Sequence, residues 1–268
     1  MSGATGAAAG SPRSDTPKCF HILGVRIDAV QIPEVTNWIE QRIAQRNGCS
    51  FIAVAAMHSV TAARHDPHFK DMLNSADLTV PDGMPLVWRG RLQGCSLKRR
   101  VYGPELMATF CSQTASKGYR HFFYGGVPGV AETLARKFAS QYPGIKIAGA
   151  YCPPFRALTA KEDRDVIAKM EDAQADIVWV GVSTPKQELW MFEHRERLRV
   201  PVLVGVGAAF DFHTGRMPQA PAWMGEHGLE WLFRLGTEPR RLWRRYLING
   251  SEFLALAVLE SLGLKKFH

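Results

Sequence analysis

The chain has 268 residues, 46% of them hydrophobic and 22% charged, with a formal net charge of +8 and a pI near 9.4. The apolar share is ample for a globular core, and the basic balance asks for an anionic partner: nucleic acid, a phosphorylated ligand or an acidic membrane surface. Five scattered cysteines, Cys19, Cys49, Cys95, Cys111 and Cys152, contain no C-x-x-C pair and so argue against a disulfide framework or a zinc site, and no uncharged apolar run is long enough to span a bilayer.

The opening 17 residues are mainly Gly, Ala, Ser and Pro without a basic-then-apolar run, so residues 1–19 are expected as a disordered leader and not a signal peptide. Residues 20–27 alternate apolar positions like a strand. Residues 33–46 place Val35, Trp38, Ile39 and Ile43 at helical spacing, and residues 51–56 form a second apolar strand. A helical stretch over 58–74 is broken and restarted at Asp66-Pro67.

Leu78, Thr79 and Val80 read as a short buried strand that Pro81 stops and Gly83 turns, which leaves Asp82 at a strand end beside a sharp bend. That is either a plain turn or a ligand position, since α/β sheets bind at their strand ends. Lys98, Arg99 and Arg100 precede a helix over 104–117; they form a solvated face or sit over a phosphate.

From Tyr119 onward strand and helix alternate regularly. Strand 121–124 leads through the glycine loop of Gly125 and Gly126 into helix 130–141, an arrangement that presents bare backbone N–H groups to an anion or serves only as a connector. Strand 145–150, helix 159–172, strand 176–181, a turn into a helix reaching Arg197 and strand 200–205 come next. Nearly continuous Val and Ile in these strands predict an α/β fold, a mostly parallel Rossmann-like sheet with helices on both faces. Asp82, Gln187, Glu188 and Asp211 each follow a strand, as a nucleotide cleft at the carboxyl edge requires.

The last stretch changes character and predicts a C-terminal helical appendage over 229–268, beside a core over 20–228. Thr237 can cap a helix with Glu238 and Pro239 in its first turn. At about 100° per residue Arg240, Arg241, Arg244 and Arg245 span roughly 140°, with Leu242, Trp243, Tyr246 and Leu247 opposite. The arginines suit phosphates and the aromatic side suits a membrane interface; residues 253–264 are too short to cross a bilayer but long enough to lie along one.

Together the motifs A-D-L…P-D-G (76–83), R-V-Y-G (100–103), F-Y-G-G-V-P-G (123–129), Y-P-G (142–144), G-V-S-T-P-K-Q-E (181–188), G-V-G-A-A-F-D (205–211), A-P-A-W (220–223) and E-W-L-F-R…E-P-R…R-Y-L (230–247) resemble the WecG/TagA/CpsF glycosyltransferases, glycosyltransferase family 26. The resemblance runs from about residue 20 to 253. It implies inverting, metal-independent transfer from a UDP-sugar, of N-acetylmannosamine or glucose type, to a polyprenyl-diphosphate-linked sugar. The setting it implies is exopolysaccharide or other cell-surface polysaccharide synthesis at the inner face of the plasma membrane, with no cofactor and no nucleic acid; a homo-oligomer is left open. Carried over residue by residue, it makes Asp82 the general base, puts Gln187 and Asp211 on the nucleotide, and puts Arg100, Arg234, Arg241 and Arg244 near the diphosphates. Arg240 and Arg245 share their helix, and Gly125 and Gly126 offer backbone donors to UDP.

One departure stands out. The family often has T-x-N where this chain has Val54, Ala55 and Ala56, so His58 or Ser59 substitutes, the donor sugar differs, or catalysis is weakened. The rival readings are a nucleotide-dependent oxidoreductase, for which the G-x-G-x-x-G fingerprint is missing, and a basic nucleic-acid-binding module, which only the charge suggests.

Overall fold

The computed structural model describes residues 17–267. The expected leader lies outside these apart from its last three residues, and Cys19 already opens the first strand. That strand, β1 (Cys19–Ile22), pairs with β2 (Val25–Asp28) as an antiparallel hairpin. The single strand expected over 20–27 is therefore two, because Leu23 and Gly24 both adopt positive φ, 52° and 82°, and close a two-residue turn.

Next come α1 (Ile32–Gln45), β3 (Ser50–Ala55), α2 (Met57–His65), α3 (Pro67–Asn74), β4 (Leu78–Pro81), α4 (Met84–Leu92) and α5 (Gly103–Thr114). The break at Asp66 is real: its carboxylate accepts from the Phe69 N–H at 3.1 Å and starts α3 afresh. The regular half consists of β5 (Arg120–Gly125), α6 (Val130–Gln141), β6 (Lys146–Tyr151), α7 (Ala160–Asp172), β7 (Ile177–Gly181), α8 (Lys186–His194), β8 (Val202–Gly205) and α9 (Ala209–Thr214).

Six strands form one all-parallel sheet in the order β4-β3-β8-β7-β5-β6. The inner strands are apolar on both faces because helices cover both. Phe51, Phe122, Val178 and Leu203 belong to one core layer, whereas their neighbours Ile52, Phe123, Trp179 and Val204 belong to the other. The hairpin is tied to β4 through the buried Asp28, whose carboxylate accepts from the Thr79 N–H at 2.8 Å and from the Arg26 guanidinium at 2.8 Å.

The chain ends in α10 (Ala222–Glu226), α11 (Glu230–Thr237), α12 (Pro239–Trp243), a π-helical turn (Arg244–Ile248) and α13 (Asn249–Ser261). The helix expected after Thr237 is present and runs unbroken from Pro239 to Ser261, with a π turn inside it, but its start is not capped as expected. The Thr237 hydroxyl donates back to the Arg234 carbonyl at 3.1 Å, so it closes α11 and does not cap α12. The side of this helix that meets the core runs through Leu242, Tyr246, Asn249 and Phe253 and is narrower than the expected apolar side. Only Leu242 of the expected apolar side is buried, while Trp243 and Leu247 are 43% and 53% exposed. The segment is seated on the core by α13: Phe253 is 1% exposed, Glu260 accepts from the Leu23 N–H and pairs with Arg89, both at 3.1 Å, and Glu252 meets His65 at 2.9 Å.

Candidate active site

The parallel register of β3 with β4 sets Ala55 beside Pro81, and the next N–H, that of Asp82, donates to the Ala55 carbonyl at 2.7 Å. The β4 edge thus ends at Asp82. Gly83 then takes φ +115°, a value that L side chains rarely adopt, and the chain turns into α4. The Pro81 carbonyl accepts from the Val101 N–H at 2.8 Å, which draws residues 98–102 over the same edge.

Arg100 is placed by that bond. Its guanidinium has Asp82 Oδ1 at 3.6 Å on one side, forms an ion pair with Glu230 of α11 on the other, and stacks 4.1 Å over the Tyr102 ring. Asp82 Oδ1 and the Nε atoms of Arg234 and Arg245 are buried without a hydrogen-bond partner. Unpartnered buried polar atoms are rare in folded proteins, and their gathering at one cleft makes it the candidate ligand site. Burial pushes the Asp82 carboxyl up to about 7; Arg100 opposes that and Glu230 adds to it.

The cleft has two sides. Asp82 lies in its inner part, two small cavities of about 110 and 90 Å³ that share Asp82, His58, Glu230, Arg234 and Arg245. Across Arg100 and Glu230 opens a cavity of about 590 Å³ lined by Lys98, Arg99, Tyr102, His213, Gln219 and Glu226 among others. Arg245, in the π turn, places its terminal nitrogen 2.6 Å from His58 Nδ1. Burial lowers the Arg245 pKa to about 10, and burial with Arg245 and Arg234 nearby holds the His58 imidazole well below its usual range, so the ring is neutral.

The expected residues do not all meet here. Asp82, Arg100, Arg234, Arg241, Arg245 and Gln187 line the cleft. The Gln187 side chain is already engaged: it accepts from the Gly207 N–H and donates to Glu188 Oε1, each at 2.9 Å, and so fixes the loop after β8. Asp211 pairs with Arg216 at 3.1 Å and does not line these cavities. Gly125 and Gly126 do not line them either. The Gly126 N–H donates to the Gly181 carbonyl at 3.0 Å, and a Cβ at Gly125 would sit 2.5 Å from that oxygen, so these glycines serve close packing of β5 against β7. Arg240 and Arg244 are exposed, Arg244 lying 5.2 Å over the Trp243 ring.

Val54 and Ala56 do line the cleft, as does His58, whereas Ser59 is buried with its hydroxyl 3.4 Å from the Ala56 N–H. Of the two residues considered as substitutes there, His58 is the one at the site. Sequence reasoning missed Glu230 and Tyr102. Glu230 lies far from Arg100 in the chain, and the only signal was that both open a recognisable motif.

A model of the glycosyl transferase WecG/TagA/CpsF family matches residues 20–267. The chain belongs to that family. Among curated WecG/TagA/CpsF relatives, a Bacillus spizizenii protein named N-acetylglucosaminyldiphosphoundecaprenol N-acetyl-beta-D-mannosaminyltransferase is 31% identical, over 81% of this chain and 82% of its own. Proteins of the same name from Bacillus subtilis and Staphylococcus aureus are 32% and 27% identical, over 79% and 87% of this chain and 78% and 89% of theirs. As a member of the WecG/TagA/CpsF family the chain is a glycosyltransferase.

Proposed function

We propose that this glycosyltransferase moves a sugar from a UDP-sugar to a polyprenyl-diphosphate-linked sugar, with inversion at the anomeric carbon. The observation that carries the reading is Asp82: an incompletely paired carboxylate at a strand end, facing a cleft into which Arg100, Arg234 and Arg245 also project. The acceptor hydroxyl oxygen attacks the anomeric carbon, its proton passes to Asp82, and the bond to the UDP oxygen breaks on the opposite face. In this reading Arg234, Arg241 and Arg245, which line the inner cleft, offset the negative charge that grows on the departing UDP. The named activity of the relatives supports an acceptor of this kind.

The lipid part of such an acceptor lies in a membrane, and this fits the exposed Leu247, Ile248, Leu254, Val258 and Leu262 beside Arg240 and Arg244. No helix among the described residues is long and apolar enough to cross a membrane. In this reading the C-terminal helices lie on the inner face of the plasma membrane, and the product enters cell-surface polysaccharide.

The test is direct. Purified protein is given UDP-N-acetylmannosamine, UDP-glucose and related donors with a short-chain lipid-diphosphate N-acetylglucosamine acceptor, and the product anomer is read by NMR. Transfer from at least one donor with inverted configuration is expected. Retention of configuration, or no transfer from any UDP-sugar while NAD raises the melting temperature, overturns the reading.

A further inference from the structure

Glu230 belongs to the first turn of α11, yet its carboxylate is ion-paired with Arg100 of the loop before α5. The same guanidinium has Asp82 Oδ1 3.6 Å away on its other side, beyond hydrogen-bond reach. Arg100 is therefore shared unequally between two carboxylates and committed to the one from the C-terminal segment. Its path is confined as well: it stacks on Tyr102, and a Cβ on Gly225 would lie 2.7 Å from its terminal nitrogen.

We propose that Glu230 is a positioning residue: by holding Arg100 off Asp82 it keeps that carboxylate free to take a proton, and it does so only while the C-terminal helices are seated on the core. The proposal rests on the reading of Asp82 as the general base. A fully formed Arg–Asp pair lowers the aspartate pKa by about 1–3 units, which weakens the base and occupies the oxygen that must accept the proton. Asp82 is faced by Arg100 and Tyr102 from the loop, Glu230 and Arg234 from α11, Arg241 from α12, Arg245 from the π turn and His58 from α2. Among these Glu230 is the acid set against four arginines. When α11 lifts away Glu230 leaves with it, and Arg100 is left with Asp82 as its carboxylate partner.

The experiment is a carboxyl-carbon NMR titration of Asp82 in the full-length protein, assigned with Asp82→Asn. In Glu230→Gln the midpoint falls by about one unit or more. In Glu230→Asp, which keeps the charge but shortens the reach, it lies between that value and the wild type. The acid limb of kcat/KM moves down with the midpoint, and the plateau rate falls about tenfold. In an Arg100→Gln background the drop caused by Glu230→Gln shrinks to about a quarter of its size, because the intermediary is gone. An unchanged midpoint in folded Glu230→Gln, or an equal drop in both backgrounds, overturns the proposal. If Glu230→Gln does not fold, Glu230→Asp must still lower the midpoint, and a failure to do so overturns it equally. A midpoint that falls while the acid limb stays in place overturns it through its premise, the base, and not through the ion pair.

Discussion

Arg245 and His58 are 187 positions apart in sequence, and the guanidinium of one lies 2.6 Å from the ring nitrogen of the other inside the cleft. The contact exists because Arg245 follows the buried Leu242 by three positions, about 60° round the helix, and so lies on its core side. A neutral imidazole can accept from an arginine without adding positive charge, so His58 holds Arg245 in place and leaves its charge for a ligand. Arg234 and Arg245 face the inner cleft, Arg241 stands at its edge paired with Glu238, and Arg240 and Arg244 form an outward set.

For the inward set, Arg245→Ala and Arg234→Ala each lower turnover by about a hundredfold, the usual loss when one donor to a developing negative charge is removed. For the outward set, Arg240→Ala and Arg244→Ala leave turnover on a soluble short-chain acceptor within about twofold and weaken retention on anionic vesicles, more so as salt is raised. Steady-state kinetics and vesicle sedimentation on the same four variants check the division. Equal losses of turnover across all four would remove it.

Asp82→Asn keeps the fold and lowers transfer by about a hundredfold or more. The wild-type kcat/KM should rise with pH through an acid limb centred on about 7, the value to which burial raises the carboxyl, since the ionised form is the base. A pH profile of both proteins on one acceptor reads both effects. Wild-type rates in the variant would show that another group takes the proton.

The same carboxyl carries a stability signature of definite sign. Its ordinary value is 3.8 and its folded value about 7, so between them the folded protein holds a proton that the unfolded chain has released. Stability from this group is present at low pH and is lost as pH rises through 7. Asp82→Asn removes that dependence. The melting temperature of the variant minus that of the wild type should be more positive at pH 8 than at pH 5 by calorimetry. A difference that does not change with pH would mean that Asp82 titrates normally in the folded state.

In the proposed reading, seating and membrane contact fall to different side chains of α13. Phe253→Ala empties a buried site and should destabilise the docked helices by about 3–5 kcal/mol, visible as an earlier or split melting transition. Replacing the exposed Leu254 and Val258 together by Ser should leave the melting temperature within about 1 °C and cut vesicle retention several-fold. Undiminished retention in the double variant would place the lipid contact elsewhere on the surface.

The sheet was legible in the chain because its cause is local. Runs such as Phe51 to Ala55 and Ile177 to Val180 are apolar at every position, a pattern that only strands covered on both faces satisfy. Asp82 was legible for the same reason: Pro81 and Gly83 fix the backbone around it wherever the strand lies. The motifs likewise pointed to the WecG/TagA/CpsF family, whose model matches nearly the whole described chain.

Only the tertiary structure decided which residues share the cleft. Asp211 has the same local signature as Asp82, a carboxylate after a strand, yet it turns to Arg216. Gly125 and Gly126 look like a phosphate loop, yet a carbonyl of the neighbouring strand takes up their space and an N–H. The arginine arc did not say which of its edges meets the core: the edge beside the buried Leu242 does, so Arg245 faces inward and Arg244 stays outside. Periodicity and turn chemistry act over a few residues, whereas Glu230 meets Arg100 through the close packing of Gly225 on Arg100 and of Gly228 on Trp88 and Met84, contacts between segments far apart in the chain.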